Sequence, residues 1–395
     1  MEIKTDLEMK IMGKIKILEM IDRSFLGGGQ INLLSIAEAL DKSRFEVAVC
    51  SQGNGPLIEE LKQRDIRHFP VSIRKIPGRR VLNALKNLMV KEGFEIVHTH
   101  GGVAGLYGRW AAFRAGVPVI IHTLHGIHYL HYRNICIRWA YIFLERVFSR
   151  FTKTVIFVSQ ADRKKGCRYK LAPVEKMKVV KNGIDFSKVK READITQRVG
   201  LKENLGLDDS FLIGTVARIH RQKNIPCLIK AAAILRDRIP RAKIIIVGDG
   251  PMMTEVKNLI ERFGLQKMVF MLGERSDAYQ IMSLFDIFVL TSLWEGLPYV
   301  LMEAGVLGKP VVASDIEGIR EIILDEESGL LVPRNDPRKL VEGFVRLEAD
   351  SHLRFKLGRS LQKKIKDEYS LSRMIREIEN IYLESAETAK KPLDQ

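Results

Sequence analysis

The chain has 395 residues, 46% hydrophobic and 28% charged. That is an ordinary globular composition, which excludes a largely disordered protein and suits two domains of about 190 residues. Lys and Arg number 64 against 48 Asp and Glu, a net of +16. Residues 1–190 hold 33 basic and 17 acidic side chains and residues 191–395 hold 31 of each, so the whole excess lies in the first half. It points there to an anionic partner: nucleic acid, a membrane face or a charged substrate. Zinc-finger spacing and basic residues interleaved with stacking aromatics are both missing, which argues against nucleic acid. Cys50, Cys136, Cys167 and Cys227 follow no CxxC or zinc spacing, so neither a disulfide framework nor a structural metal is expected. No apolar run reaches the roughly 18–20 residues of a spanning helix, and the opening MEIKTDLEMK has no apolar h-region. The expectation is a cytoplasmic protein, peripheral to a membrane face at most.

Short β-branched runs alternate with helical patterns along the chain. The expected strands are IKILEM (15–20), EVAVC (46–50), IVHTH (96–100), PVIIHTL (118–124) and VIFVS (155–159), then FLIGTVA (211–217), KIIIVG (243–248), VFMLG (269–273), DIFVL (286–290) and KPVVAS (309–314). Runs this apolar, spaced by helical segments of about 15–25 residues, predict parallel sheets covered on both faces. Between the second and third expected strands, Arg74–Glu92 places Ile76, Val81, Leu82, Leu85, Leu88 and Met89 at helical spacing beside Lys75, Arg79, Arg80, Lys86 and Lys91. Tyr132–Phe151 does the same with Ile135, Trp139, Ile142, Phe143 and Phe148 beside Arg133, Arg138, Arg146 and Arg150. Each reads either as a core-facing helix with a solvated basic side or as a helix lying in a lipid interface. AGVPVI (115–120) and LGKPVV (307–312) repeat a Gly-x-Pro-Val step from helix to strand, so the halves echo one another. The predicted fold is α/β with two Rossmann-like doubly wound domains, 1–186 and 187–365. Residues 366–395 form a terminal helix and polar tail that can pack back on the first domain, and helical spacing runs through 360–385.

In open α/β sheets the chemistry sits at the carboxyl ends of strands, where glycine-rich turns feed helices. Leu26-Gly27-Gly28-Gly29-Gln30 follows the first strand and is either a phosphate-approaching loop or a plain turn. Gly248-Asp249-Gly250-Pro251 ends KIIIVG. TSLWEGLPYVLMEA (291–304) ends a strand, then sets Gly296, Leu297 and Pro298 at a helix start between Glu295 and Glu303. Free N–H groups there suit a diphosphate. Two carboxylates beside them suit a ligand that also offers sugar hydroxyls, because an ionised carboxylate accepts their hydrogen bonds. Arg218 and Lys223 supply the opposing charge, a planar fork and a point charge for two phosphates. No Asp-x-Asp occurs to hold Mg²⁺, so these cations stand where a metal would. His122, His125, His128 and His131 recur every third residue, with His98 and His100 upstream. They lack an accompanying carboxylate, so one sugar-contacting His at the strand end is the simpler reading than a metal site.

Val97–Gly126, Lys181–Asp185 (KNGID), the segment from Arg218 to Lys223, GDGP and EGLPYVLMEA together resemble the retaining glycosyltransferases of family 4, in motif order over nearly the whole chain. The resemblance implies a GT-B fold, two Rossmann-like domains facing across a cleft, and a nucleotide-sugar donor, with UDP-sugar favoured. It assigns Glu303 to the ribose, Arg218 and Lys223 to the phosphates, and Glu295 with the backbone around Gly296, Leu297 and Pro298 to the donor sugar and diphosphate. Gly28, Gly29 and Gly250 are donor-binding positions, and His125 is the active-site His beside the reacting carbon. It implies transfer with retention and no metal cofactor, with no separate enzymic nucleophile assigned. The family binds its acceptor on the first domain, which is the basic half here. A lipid-linked glycan acceptor at an anionic membrane surface, in polysaccharide synthesis, is therefore expected. The alternative is a nucleotide-sugar epimerase of the same fold. The GxGxxG and acidic ribose residue missing from the first βα turn argue against a dehydrogenase.

Overall fold

A computed structural model describes residues 13–72, 78–194, 200, 202–203, 205–207 and 209–390. The opening decapeptide, Arg74, Lys75, Ile76 and tail residues 391–395 lie outside them. The chain divides into two compact units, Met1–Gly183 with Ser372–Gln395, and Ile184–Leu371.

In unit 1 the strands are β1 (Ile15–Ile21), β2 (Phe45–Ser51), β3 (Arg67–Pro70), β4 (Ile96–His100), β5 (Val119–Leu124), β6 (Thr154–Phe157) and β7 (Met177–Val179). They form one sheet in the order β3-β2-β1-β4-β5-β6-β7, with every neighbouring pair parallel. Parallel pairing needs crossovers, supplied by α1 (Gly28–Ala39), α2 (Pro56–Gln63), α3 (Arg79–Glu92), α4 (Gly102–Ala115), α5 (Ile135–Ser149) and α6 (Gln160–Arg168). Leu33, Leu57 and Leu61 cover one face around Ile21 and Val49, while Leu85, Met89, Tyr107 and Ala111 cover the other around Leu18 and Met20. Both faces of β1 are therefore dry, which is why it reads as a nearly unbroken apolar run.

Unit 2 repeats the plan with β8 (Phe211–Val216), β9 (Ala242–Val247), β10 (Val269–Gly273), β11 (Ile287–Leu290), β12 (Val311–Ser314) and β13 (Leu330–Val332). Its sheet runs β10-β9-β8-β11-β12-β13, again all parallel. Its helices are α7 (Phe186–Glu192), α8 (Ile225–Leu235), α9 (Met253–Arg262), α10 (Ala278–Leu284), α11 (Tyr299–Val306), α12 (Glu317–Arg320), α13 (Pro337–Ala349) and α14 (Ser351–Glu368). The last helix, α15 (Leu371–Lys390), contributes its residues from Ser372 onward to unit 1. In each sheet the strand order reverses direction once, between β1 and β4 and between β8 and β11. Those two positions are where such sheets open a crevice at the strands' carboxyl ends.

Three expectations change in detail. The helical pattern of 360–385 is two helices, interrupted at Tyr369–Ser370, where Ile184 N–H donates to the Tyr369 carbonyl at 2.8 Å and the Tyr369 hydroxyl donates to the Glu321 carbonyl at 2.6 Å. Pro298 caps α11 from outside rather than entering its first turn. The Arg79–Glu92 helix spends its apolar face on the core, burying Leu85 and Met89. By contrast α5 leaves Ile135, Ile137, Trp139 and Phe143 exposed, Phe143 at 63%. No helix among the described residues is long and apolar enough to cross a membrane.

Candidate active site

At the reversal point of unit 2, the chain leaves β8 through Ala217 and exposed Arg218 into a short 3-10 turn, Arg221–Lys223. Beside it β11 ends and Thr291 folds back, its hydroxyl donating to the Lys223 carbonyl at 2.8 Å, while Leu293 N–H donates to the Gln222 carbonyl at 2.7 Å. These bonds tie the two loops together and bring distant residues into one network. Lys223 Nζ lies 2.6 Å from Glu295 Oε1, with the two side chains 17% and 7% exposed. Ser292 donates its hydroxyl to the same oxygen at 2.6 Å, and Gln222 Nε2 donates to Glu295 Oε2 at 3.1 Å. The sequence suggested a carboxylate for the sugar and a separate cation for phosphate. The structure joins them: each orients the other and offsets its desolvation.

Glu303, on α11, is 8% exposed and accepts the Tyr279 hydroxyl at 3.1 Å from α10. Burial pushes its carboxyl up to about 7, against the pull of the Tyr279 hydrogen bond and the Lys223 charge. The Tyr279 phenol is raised in turn, first by the Glu303 charge and then by burial. Gly296, Leu297 and Pro298 are buried in the turn between Glu295 and α11. That turn depends on Gly318, which lies outside the sequence motifs: a Cβ there would stand 2.4 Å from the Gly296 carbonyl oxygen and 2.5 Å from that of Glu295. Gly250 is small for a similar reason, since a Cβ would meet the Ile219 carbonyl oxygen at 2.3 Å, so its smallness serves the packing of two loops. Gly318→Ala is therefore expected to displace the 295–297 backbone and to cost about 1–3 kcal/mol of stability, with donor KM raised more than kcat is lowered. Thermal unfolding and donor kinetics check it; unchanged KM in a folded variant would contradict it.

At the reversal point of unit 1, Gly28 and Gly29 open α1, with Gly28 exposed. A Cβ on Gly29 would stand 3.2 Å from His125 Cδ2, so these two candidate positions are neighbours. His125 follows β5, and its Nε2 lies 2.8 Å from His100 Nδ1 on β4. The evenly spaced histidines do not act together. His122 is fully buried and its Nδ1 pairs with Thr99 Oγ1 at 2.8 Å, whereas His128 is exposed. Among the described residues, the metal-type side chains that do converge are Glu19, His98 and His100, whose ligand atoms lie within 4.8 Å of one another. They are already committed to hydrogen bonds: Glu19 Oε2 with His100 Nε2 at 2.6 Å, Glu19 Oε1 with the Tyr382 hydroxyl at 2.5 Å, and His98 Nδ1 with that hydroxyl at 2.6 Å. The arrangement suits a proton-ordered network better than an ion.

Comparison with known proteins matches residues 26–188 to the family described as Glycosyltransferase Family 4 and residues 200–364 to Glycosyl transferases group 1. The chain is 30% identical over 383 residues, 94% of its length and 97% of the relative's, to the Escherichia coli protein named UDP-Gal:alpha-D-GlcNAc-diphosphoundecaprenol alpha-1,3-galactosyltransferase. It is 27% identical to the Staphylococcus aureus capsular polysaccharide biosynthesis glycosyltransferase CapM, over 87% of this chain and 91% of that one. Among solved structures, Anabaena HepE in complex with UDP-glucose superposes with a TM-score of 0.84 at 22% identity, covering 94% of this chain and all of that one. That likeness is one of fold, two parallel α/β sheets of the GT-B kind.

Proposed function

This chain belongs to glycosyltransferase family 4 and is a retaining nucleotide-sugar glycosyltransferase; from that premise we propose that it moves a hexose from a UDP-sugar to a glycan carried on a lipid diphosphate. The observation that carries the donor half is the joined network of Lys223, Glu295, Ser292 and Gln222 beside buried Glu303, at the reversal point of the unit 2 sheet. In this reading Glu303 accepts ribose hydroxyls, Arg218 and Lys223 meet the diphosphate, and Glu295 with the Gly296–Pro298 turn meets the sugar and phosphate. His125 accepts a sugar hydroxyl. As the bond from the anomeric carbon to the leaving diphosphate breaks, charge grows on the phosphate oxygens, and fixed cations stabilise it most at that moment. The leaving diphosphate, still on the same face of the sugar, takes the acceptor's proton.

The lipid half rests on charge, on one exposed surface and on the E. coli relative's named acceptor. On α5, exposed Ile135, Ile137, Trp139 and Phe143 stand among Arg133, Arg138, Arg146 and Arg150. On α4, exposed Phe113 stacks on Phe151 with ring centroids 4.8 Å apart. Apolar side chains flanked by arginines fit an anionic lipid surface, the rings entering the interface and the guanidinium groups meeting phosphates. The test is nucleoside-diphosphate release from a panel of UDP-, GDP- and ADP-sugars, with and without a polyprenyl-diphosphate-linked N-acetylhexosamine. Release from one UDP-sugar that requires the lipid acceptor is expected. Release from a GDP- or ADP-sugar instead, or conversion of the donor to its epimer, overturns the assignment. Trp139→Ser with Phe143→Ser is expected to weaken binding to phosphatidylglycerol vesicles about tenfold or more, leaving release to a detergent-solubilised acceptor unchanged. Vesicle binding equal to wild type would remove this surface from the proposal.

A further inference from the structure

The buried polar chain behind His125 has only one consistent arrangement of protons. Glu19 is fully buried in the middle of β1. Burial opposes its charge, but His98 and His100 and their hydrogen bonds hold its carboxyl well below the usual range, so both oxygens only accept. The Tyr382 hydroxyl has one proton and gives it to Glu19 Oε1, so its oxygen accepts from His98 Nδ1. His98 Nε2 then pairs with the Thr123 hydroxyl at 2.7 Å. On the other side, His100 must carry its proton on Nε2 to donate to Glu19 Oε2. Burial, first, and the neighbouring His98 push the His100 ring down to about 4, so it is neutral and its Nδ1 is a bare lone pair. That lone pair faces His125 Nε2 at 2.8 Å, and the two ring planes lie within 14° with centroids 5.1 Å apart, the geometry of an in-plane N–H···N bond. His125 therefore holds its proton on Nε2. Burial, first, and then His100 and His98 keep this ring neutral too. Its Nδ1 is left as a lone pair, buried and without a hydrogen-bond partner.

We propose that Glu19 and His100 are positioning residues for glycosyl transfer: they lock His125 in the Nε2–H tautomer, so that its unpartnered Nδ1 accepts a hydrogen bond from a hydroxyl of the bound sugar. The inference rests on the reading of His125 as the sugar-contacting histidine. Neither Glu19 nor His100 reaches substrate; both act through the ring they orient, as a carboxylate does when it sets the tautomer of a catalytic imidazole. Glu19→Gln makes the logic testable. The Tyr382 hydroxyl donates to Oε1 of residue 19, and His98 Nδ1, whose proton goes to that hydroxyl, stands 3.3 Å from the same oxygen, so an amide would turn its oxygen to that side and its NH₂ to His100. His100 would have to carry its proton on Nδ1, and His125 on Nδ1 as well. An acceptor for the sugar becomes a donor, with almost no change of shape.

The experiment uses the full chain labelled with ¹⁵N-histidine, with His125→Ala to assign the ring. Wild type is expected to show the Nε2–H form at His125 and Glu19→Gln the Nδ1–H form. The same variant is expected to lose about 10- to 100-fold in kcat with donor KM within about twofold of wild type. His100→Asn, which keeps an acceptor oxygen near the position of Nδ1, is expected to retain more turnover than His100→Ala. An Nδ1–H ring in the wild type overturns the inference. So does a Glu19→Gln enzyme whose tautomer switches while kcat stays unchanged, or a stoichiometric metal ion held by Glu19, His98 and His100. Full turnover in His125→Ala would instead remove the sugar-contact reading itself, which the tautomer measurement leaves separately visible.

Discussion

Lys223→Ala is expected to lower kcat/KM by about 10³-fold, the largest effect of any single change in the donor network. Two losses act together. The ammonium proposed to stabilise charge on the departing diphosphate is gone, which acts on the transition state. Glu295, its side chain 7% exposed, also loses a cation 2.6 Å away and keeps only the Ser292 and Gln222 hydrogen bonds. Removing one partner of a buried pair costs about 3–5 kcal/mol because the other charge stays desolvated. The variant should therefore also unfold at a lower temperature than wild type. Adding Glu295→Gln should recover stability but not turnover, because the glutamine no longer needs a cation while the phosphate still does. Steady-state kinetics and thermal unfolding on the three proteins check this. Recovery of turnover in the double variant would mean that Lys223 serves only to hold Glu295.

Glu303→Gln is expected to raise the KM for the nucleotide-sugar about 10²-fold and to abolish a pH dependence present in the wild type. Because burial raises the Glu303 carboxyl to about 7, protonated and ionised forms coexist in the free enzyme near neutrality. Only the ionised form accepts from two sugar hydroxyls. Donor KM should therefore fall as pH rises from about 6 to 8, and hold flat in the glutamine variant. Stability runs the opposite way. The folded chain keeps this proton, between about 4.5 and 7, where the unfolded chain releases it, so the wild type loses stability as pH rises through that window. The glutamine variant does not, and should have the higher melting temperature at pH 8. Parallel KM profiles for the two proteins would remove Glu303 from nucleotide recognition.

The central strands were legible because both faces of each sheet are covered, which leaves unbroken apolar runs such as KIIIVG. The strands that escaped, β3, β7 and β13, are four, three and three residues long, and each lies at a sheet edge. Three or four residues are too few for a pattern to build up; β10 also lies at an edge, yet its five-residue VFMLG run was legible. At the site, the cations Arg218 and Lys223 announced the loop after β8, and glycine-rich turns and paired carboxylates those after β9 and β11. The contacts among them stayed hidden. Tyr279 sits 24 residues from Glu303 in an unremarkable helix, and Gly318 lies outside every motif. Glu19 was harder still, since one carboxylate inside IKILEM looks like the solvent side of a strand. Nothing local shows that a tyrosine 363 residues later donates to it.

That separation has a consequence for biosynthesis. Unit 1 begins the chain, yet its last piece, Ser372–Gln395, ends it. While the ribosome makes the 184–371 stretch, which at about 5–20 residues per second takes some tens of seconds, the nascent first unit lacks Tyr382 and the apolar side of α15. Glu19 must wait there with one oxygen short of its donor. The continuous second unit has all its parts first, so the half of the enzyme synthesised earliest is the last to be completed. A nonsense mutation just before α15 would leave unit 2 whole and unit 1 permanently nascent.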